Sequence, residues 1–501
     1  MTDFVPGPAE RVPEPRPSVD YAAVKSVHLM GIGGSAMGNF AGMLQARGLE
    51  VRGSDAGVFD PMRANLLDWK IPFAEGYDGA NLDWGDGRRP DMVIVGNVIR
   101  RDNPEAIAMR ELELPYASFP EALGEWLLAE RTPVVVCGTH GKTTTTSVLA
   151  WLLEATGNNP GLLVGGVPTN LGRSFQQGTG ACFVIEGDEY DTAYYDKRPK
   201  FVHYRPHHAI LTSVEFDHAD IYPDFPAVSR AFRLLASLVH PEGQLCAWGE
   251  DSRVTDVLDA CRGRVVRYGF DADKYELDAV ATIVSIGPHG ATFDLHKDGG
   301  FVGRFDSPMA GRHNVLNVTA ALLTVLDLGV SVTAANDALK AFKGVKKRQE
   351  LRGTVADIDV LDDYAHHPTA VKETVAAIRG RYPGRKLWAL FEAESNTSRR
   401  KVFQDMYIDA FAESGADTVV FCSPLRKAGD PLATKELLDV ATLCDAISEH
   451  GVPARYIPDV DDIVNLVARD ANPGDVVLGM SGRNFRGLHG KLLDALQARF
   501  G

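Results

Sequence analysis

The 501 residues carry 52 lysines and arginines against 67 aspartates and glutamates, a net charge of −15. This excludes a general nucleic-acid binder, which neutralises phosphates with surplus Lys and Arg. At 45% hydrophobic and 24% charged residues, with no uncharged apolar run near the ~18 residues a membrane span needs, composition excludes a membrane-spanning chain and predicts a soluble one of three domains.

Residues 1–20 hold five prolines between positions 6 and 17 and read as a disordered lead-in. Six cysteines without a CxxC spacing indicate neither a disulfide framework nor a zinc site, and fit a reducing cytoplasm. The first domain is expected over 21–130. It opens with a strand at 27–30, a glycine-rich turn and a helix to about residue 47, with a later strand at 92–96. The turn Gly31-Ile32-Gly33-Gly34, with Asp55 some twenty residues on, is shaped like a dinucleotide fingerprint. Such a turn admits a diphosphate close to the backbone without saying which nucleotide carries it; a structural tight turn and a nicotinamide site remain alternatives.

The second domain is expected over 131–349. A strand at 133–137 runs into Gly138-Thr139-His140-Gly141-Lys142-Thr143-Thr144 and then a helix to residue 155, closed by Gly157. Strand, glycine loop and helix start in that order form a phosphate cradle. Backbone N–H groups and the helix N-terminus attract an anion, Lys142 supplies a mobile cation, and Thr143 offers a hydroxyl to Mg2+. The longer form of this motif needs glycine at position 136, where this chain has Val136. A strand at 183–185 then delivers Glu186, Asp188 and Glu189, of which Glu186 is the first choice as magnesium ligand. Another at 209–213 delivers Glu215, Asp217 and His218, where the imidazole could hold a second metal or orient a carboxylate.

The third domain, 350–501, offers strands at 358–361, 386–391, 418–422 and 476–480. The fold class is therefore α/β in three domains: a Rossmann-like N-terminal domain, a P-loop-type central ATPase domain and a Rossmann-like C-terminal domain.

Taken together, the glycine turn at 31–34, the loop at 138–144, Glu186 to Glu189, Asp217-His218, Gly311-Arg312-His313-Asn314-Val315-Leu316-Asn317, Arg348 and Asp362-Asp363-Tyr364-Ala365-His366-His367-Pro368 resemble the Mur ligase family. These are ATP-dependent amide-forming enzymes of bacterial cell-wall synthesis. The resemblance implies ATP between the central and C-terminal domains, held by Gly138 to Thr144, Asn314, Asn317, Arg348 and Asp363. It implies Lys142, Glu186 and His218 as catalytic groups, and Mg2+ on Thr143, Glu186 and His218. A nucleotide sugar would lie on Gly31, Gly33, Gly34 and Asp55, and the amine substrate near Ser395, Asn396, Arg399, Ser481 and His489.

Two similar branches share the first turn and the Asp-Asp-Tyr-x-His-His-Pro motif. One adds L-alanine to UDP-N-acetylmuramate. The other adds the recycled murein tripeptide L-alanyl-γ-D-glutamyl-meso-diaminopimelate. The stretches 54–62, 96–104, 188–198, 395–397 and 480–493 look like the second branch. The expected partners are those two small molecules, with no nucleic acid and no membrane, on a monomer or weak homodimer. One departure stands out: several family members carry a carbamylated lysine after the Asp-His motif, whereas here no lysine lies between Lys200 and Lys274, and the matching position is Arg233 or Leu234.

Overall fold

The β-branched runs set between glycine turns become three separate sheets in the computed structural model, which describes residues 11–60, 62–85, 87–219, 221–395, 398–424 and 436–501. Runs such as Val134 to Cys137 are buried throughout, as central strands of a parallel sheet must be when both faces are covered.

The N-terminal sheet holds β1 (Ser26–Met30), β2 (Glu50–Asp55), β3 (Phe73–Glu75), β4 (Met92–Val95) and β5 (Tyr116–Ser118). Its order is β3-β2-β1-β4-β5, all parallel, so the order reverses between β1 and β4. The glycine turn leaves β1 at that switch point, where open α/β sheets bind ligands. The helix Ser35–Ala46 follows it.

The central sheet has ten strands: β6 (Thr132–Cys137), β7 (Gly161–Leu163), β8 (Phe175–Gln176), β9 (Cys182–Glu186), β10 (His208–Leu211), β11 (Gln244–Trp248), β12 (Arg264–Gly269), β13 (Ala279–Gly287), β14 (Gly290–Lys297) and β15 (Gly300–Ser307). Their order is β15-β14-β13-β12-β11-β10-β6-β9-β7-β8. Because β6 lies between β9 and β10 and runs parallel to both, the phosphate loop, the first carboxylate cluster and the Asp-His motif leave the same edge side by side. The antiparallel meander β13 to β15 was not anticipated; its turns at Gly287–Gly290 and Lys297–Gly300 are short hairpins whose strands pair with each other.

The C-terminal sheet holds β16 (Glu350–Val355), β17 (Ile358–Asp363), β18 (Leu387–Glu392), β19 (Thr418–Phe421), β20 (Ala454–Tyr456) and β21 (Val476–Ser481), ordered β16-β17-β21-β18-β19-β20. Only β16 runs antiparallel.

One apolar cluster joins the first two domains: Phe40, Phe119 and Leu123 pack into the same core as Phe201, Tyr204 and Phe232. Between the central and C-terminal domains Thr369 bonds Glu215 at 2.7 Å, His313 lies 3.5 Å from Glu373, and Phe216 packs against the C-terminal core with its ring 6.3 Å from that of Phe403. The lead-in also needs correction over its described part. The Glu14 N–H donates to the Tyr195 carbonyl at 3.0 Å, and Arg16 pairs with Glu121 at 2.5 Å over the rings of Tyr116 and Tyr195. A guanidinium near two aromatic rings and paired with a carboxylate anchors chain that its prolines alone would leave extended.

Candidate active site

Gly138, at φ 130°, turns the chain out of β6, and a side chain there would meet the Thr212 hydroxyl at 2.2 Å. Gly141, at φ 82°, caps the helix Lys142–Ala155 in a left-handed conformation, where a Cβ would lie 2.6 Å from Asn317 Oδ1. Both positions therefore require glycine on conformational and steric grounds. The loop is braced from β10: the Thr139 N–H donates to the Ser213 carbonyl at 3.1 Å, and the His140 N–H to Ser213 Oγ at 2.9 Å.

Lys142 Nζ reaches back to the Gly138 carbonyl at 2.6 Å and pairs with Glu189 at 2.9 Å. Glu189 also holds His218 Nε2 at 3.2 Å. Burial opposes charge on all three groups, but their mutual attraction outweighs it. Lys142 is held above the ordinary lysine range, Glu189 falls to about 2, and His218 is raised to about 9. His218 itself sits at φ 52°, a conformation a non-glycine residue adopts only under constraint.

Glu186 faces the other way. Its Oε1 accepts the Gly165 N–H at 2.6 Å, and its Oε2 accepts the Thr143 hydroxyl at 3.2 Å. Burial, then the charge of Asp188, raises Glu186 to about 6. Lys142, Thr143, Glu186 and His218 thus come together around one helix start. Glu189 was read only as part of a carboxylate cluster, yet it organises both cations; no spacing in the sequence distinguished it from Glu186.

A cavity of about 730 Å³ opens from this loop toward the C-terminal domain. His140, Gly141 and Thr144 line one side; Asn314 and Asn317 line another; Arg348 and Asp363 arrive from the domain junction. The Asn314 amide donates to the Ala310 carbonyl at 2.8 Å and the Asn317 amide to Asn314 Oδ1 at 3.4 Å, fixing both on the helix Arg312–Asp327. Asp363, whose carboxyl is raised by burial, accepts the N–H groups of Gln349 and Ala365, while the Arg348 guanidinium lies over the Tyr364 ring.

In the first domain Gly31, Gly33 and Gly34 form the expected turn. Asp55 Oδ2 accepts the Gly33 N–H at 2.9 Å, so this carboxylate shapes the turn from within. Behind it lies a buried network that the sequence reading missed, His28 Nε2 to Glu105 at 2.6 Å and Ser54 Oγ to the same oxygen at 2.7 Å.

In the C-terminal domain Ser395 sits at the exit of β18, bonded to Ser398 at 2.9 Å. Ser481 is buried and donates to Glu392 at 2.8 Å. Arg399 is 1% exposed. Asn396 lies outside the described residues. His489 was expected beside the amine, but it is 4% exposed, packs against Gly479 and lies 3.6 Å from Asp362 within the sheet–helix interior. Arg233, one of the two positions matched to a carbamylated lysine, is half-exposed and paired with Asp259.

Three family signatures follow one another along the chain: a Mur ligase family catalytic domain over residues 26–131, a Mur ligase middle domain over 136–325 and a Mur ligase glutamate ligase domain over 347–483. The chain belongs to the Mur ligase family. Among its relatives, the UDP-N-acetylmuramate–L-alanyl-γ-D-glutamyl-meso-2,6-diaminoheptandioate ligase of Escherichia coli is 36% identical over 94% of this chain and 98% of its own. A UDP-N-acetylmuramate–L-alanine ligase of Paenarthrobacter aurescens is 36% identical over 90% of this chain and 93% of its own. A solved murein peptide ligase of Psychrobacter arcticus superposes with a TM-score of 0.67 at 33% identity, covering 94% of this chain and 99% of that one. The three sheets are those of this Mur ligase fold.

Proposed function

We propose that this Mur ligase joins L-alanyl-γ-D-glutamyl-meso-diaminopimelate to UDP-N-acetylmuramate at the expense of ATP, a step of peptidoglycan recycling. The observation that carries it is the cavity between phosphate loop and C-terminal domain, lined by His140, Gly141 and Thr144 of the loop that carries Lys142. A site shared by two domains suits a reaction that must meet a triphosphate, a carboxylate and an amine in one dry space.

The division 21–130, 131–349 and 350–501 assigns the nucleotide sugar to the first domain, ATP to the second and the amine to the third. The turn Gly31, Gly33, Gly34, shaped by Asp55, receives the diphosphate of the sugar. Asn314 and Asn317 present amides to the adenine edge, and Arg348 and Asp363 meet phosphate and ribose as the domains close. The lactyl carboxylate attacks the γ-phosphorus, ADP departs, and an acyl phosphate results. The amine then attacks the acyl carbon, and inorganic phosphate leaves from the tetrahedral intermediate. Lys142 exchanges Glu189 for phosphate oxygens and stabilises the charge that develops on them. Thr143 and Glu186 are hard oxygen donors 3.2 Å apart, a set that fits Mg2+. They would hold it, and the ion would neutralise charge on the transferring group; His218, charged against Glu189 here, would join them only by giving up its proton. Ser395, Asn396, Arg399 and Ser481 are assigned to the amine side; His489 supports Asp362 from behind. We assign a cytoplasmic location and a monomer or weak homodimer; no helix among the described residues is long and apolar enough to cross a membrane.

The second reading is addition of L-alanine, favoured by the equal identity of the Paenarthrobacter relative. The test supplies ATP, Mg2+ and UDP-N-acetylmuramate with tripeptide in one reaction and L-alanine in another. A kcat/KM higher by about 100-fold with tripeptide is expected; faster product with L-alanine overturns the choice. That ratio corresponds to about 2.7 kcal/mol of discrimination.

A further inference from the structure

Beside the phosphate loop, and apart from Thr143, Glu186 and His218, a second set of metal-binding side chains converges. His140, Glu215 and His367 each present one ligating atom within 4.8 Å of the others. His140 Nε2 lies 3.2 Å from Glu215 Oε2, and His367 Nδ1 lies 3.9 Å from the same oxygen. Tetrahedral ligation at ~2.0–2.1 Å sets donor atoms roughly 3.3 Å apart, so small side-chain rotations suffice to close the set on one ion.

His367 is held only weakly by hydrogen bonds, which lets a cation compete for its Nδ1. Its Nδ1 accepts the Thr369 N–H at 3.4 Å as the cap of the helix Pro368–Arg381, so the ring proton belongs on Nε2, which has no partner among the described residues. The Thr369 contact is long, and the same Nδ1 lone pair lies too far from Glu215 Oε2 for a hydrogen bond, so an ion bound there would take the lone pair from the Thr369 N–H. With the other tautomer, 3.9 Å is still too long. Burial, then the neighbouring His140, pushes His367 down to about 3, which keeps the imidazole neutral, the form that ligates metal. Glu215 is also braced by Thr369 Oγ1 at 2.7 Å and by Arg253 at 3.2 Å, which fixes its orientation as the partners of a ligating carboxylate do.

We propose that His140, Glu215 and His367 form a binding site for a borderline divalent transition metal such as Zn2+, clamping the central domain to the C-terminal one. Two imidazoles and one carboxylate select zinc, cobalt or nickel over magnesium, which takes oxygen. His140 and Glu215 belong to the central domain and His367 to the C-terminal one, so the ion bridges the two lips of the cavity. Occupancy holds the closed arrangement and slows turnover.

The test uses the full chain in millimolar Mg2+, which keeps the oxygen sites filled, and titrates Co2+ while recording its visible absorption. One equivalent with the intense bands of a four-coordinate ion is expected. His367→Ala and Glu215→Gln, each checked for folding by circular dichroism, should lose those bands, whereas Glu186→Gln should keep them. In parallel, anomalous diffraction from zinc-soaked wild-type crystals should place the ion between His140, Glu215 and His367. Absence of a bound ion, its appearance only at Thr143 and Glu186, or unchanged bands in both folded variants overturns the proposal. None of these readouts depends on ligase turnover, so a different amine substrate would leave the result standing.

Discussion

Lys142 without nucleotide is not a free cation: its ammonium is spent on Glu189 and on the Gly138 carbonyl. Triphosphate binding must therefore break a buried pair, and this predicts an asymmetric mutant series. Lys142→Met leaves Glu189 buried with only His218 to balance it, and should cost about 3 kcal/mol of stability along with a loss of turnover of at least about 100-fold. Adding Glu189→Gln should recover most of that stability and none of the activity. Urea unfolding of the single and double variants checks this; equal stability of the two would show that the pair contributes little. Asp196 offers a pH test remote from the chemistry. It is 1% exposed and pairs with Arg198 at 2.8 Å and His203 at 3.1 Å, and although burial opposes ionisation these partners hold its carboxyl well below the usual range. A depressed carboxyl contributes stability above the unfolded-state value near ~4 and loses it as pH falls below. Asp196→Asn should therefore cost about 1–3 kcal/mol at pH 7 and progressively less below pH ~4, read from unfolding midpoints. A gap that does not change with pH contradicts the account.

At the level of elements, the phosphate loop was legible because its glycines, lysine and helix start lie within a few consecutive residues. Glycine at 141 is a local demand set by φ, tightened by Asn317 from a helix some 170 residues later, which no local pattern reveals. Gly141→Ala should cost more than about 1 kcal/mol and reduce turnover by about 100-fold, since a loop displaced by an ångström misplaces the phosphates. Gly157→Ala, at φ 81° with nothing within 4 Å of the added methyl, should cost about 1 kcal/mol and leave turnover unchanged. Thermal midpoints and initial rates of both variants check the contrast. Strand ends were less legible than strands. The strand expected over 209–213 ends at Leu211, beyond which Thr212 and Ser213 bond the end of β6 and the phosphate loop through both backbone and side chain. His489 was placed with the amine because it follows a C-terminal-domain strand, but Gly479 makes room for its ring inside the fold. The cluster of His140, Glu215 and His367 is assembled from three distant segments, and only tertiary placement shows it.

Across the whole molecule, the three-domain plan followed from the repeated strand–turn–helix grammar, while the unequal joining of the domains did not. The first two domains share an apolar core, whereas the third meets the second through side chains such as His367, Thr369 and Glu373, the last 3.5 Å from His313. Polar junctions open at lower cost than apolar ones. The C-terminal domain is therefore the part expected to swing, and X-ray scattering should show a smaller radius of gyration when UDP-N-acetylmuramate and a non-hydrolysable ATP analogue are added together. A radius that stays the same with both ligands bound argues for a preformed site.

The measurement closest to the central claim follows oxygen. UDP-N-acetylmuramate labelled with 18O in its lactyl carboxylate is incubated with ATP, Mg2+ and tripeptide, and the released phosphate is analysed by mass spectrometry. Attack of the carboxylate on phosphorus predicts one 18O in each phosphate, formed in step with amide product. Unlabelled phosphate, or phosphate released at the same rate without the nucleotide sugar, contradicts the account and leaves an ATPase in place of a ligase.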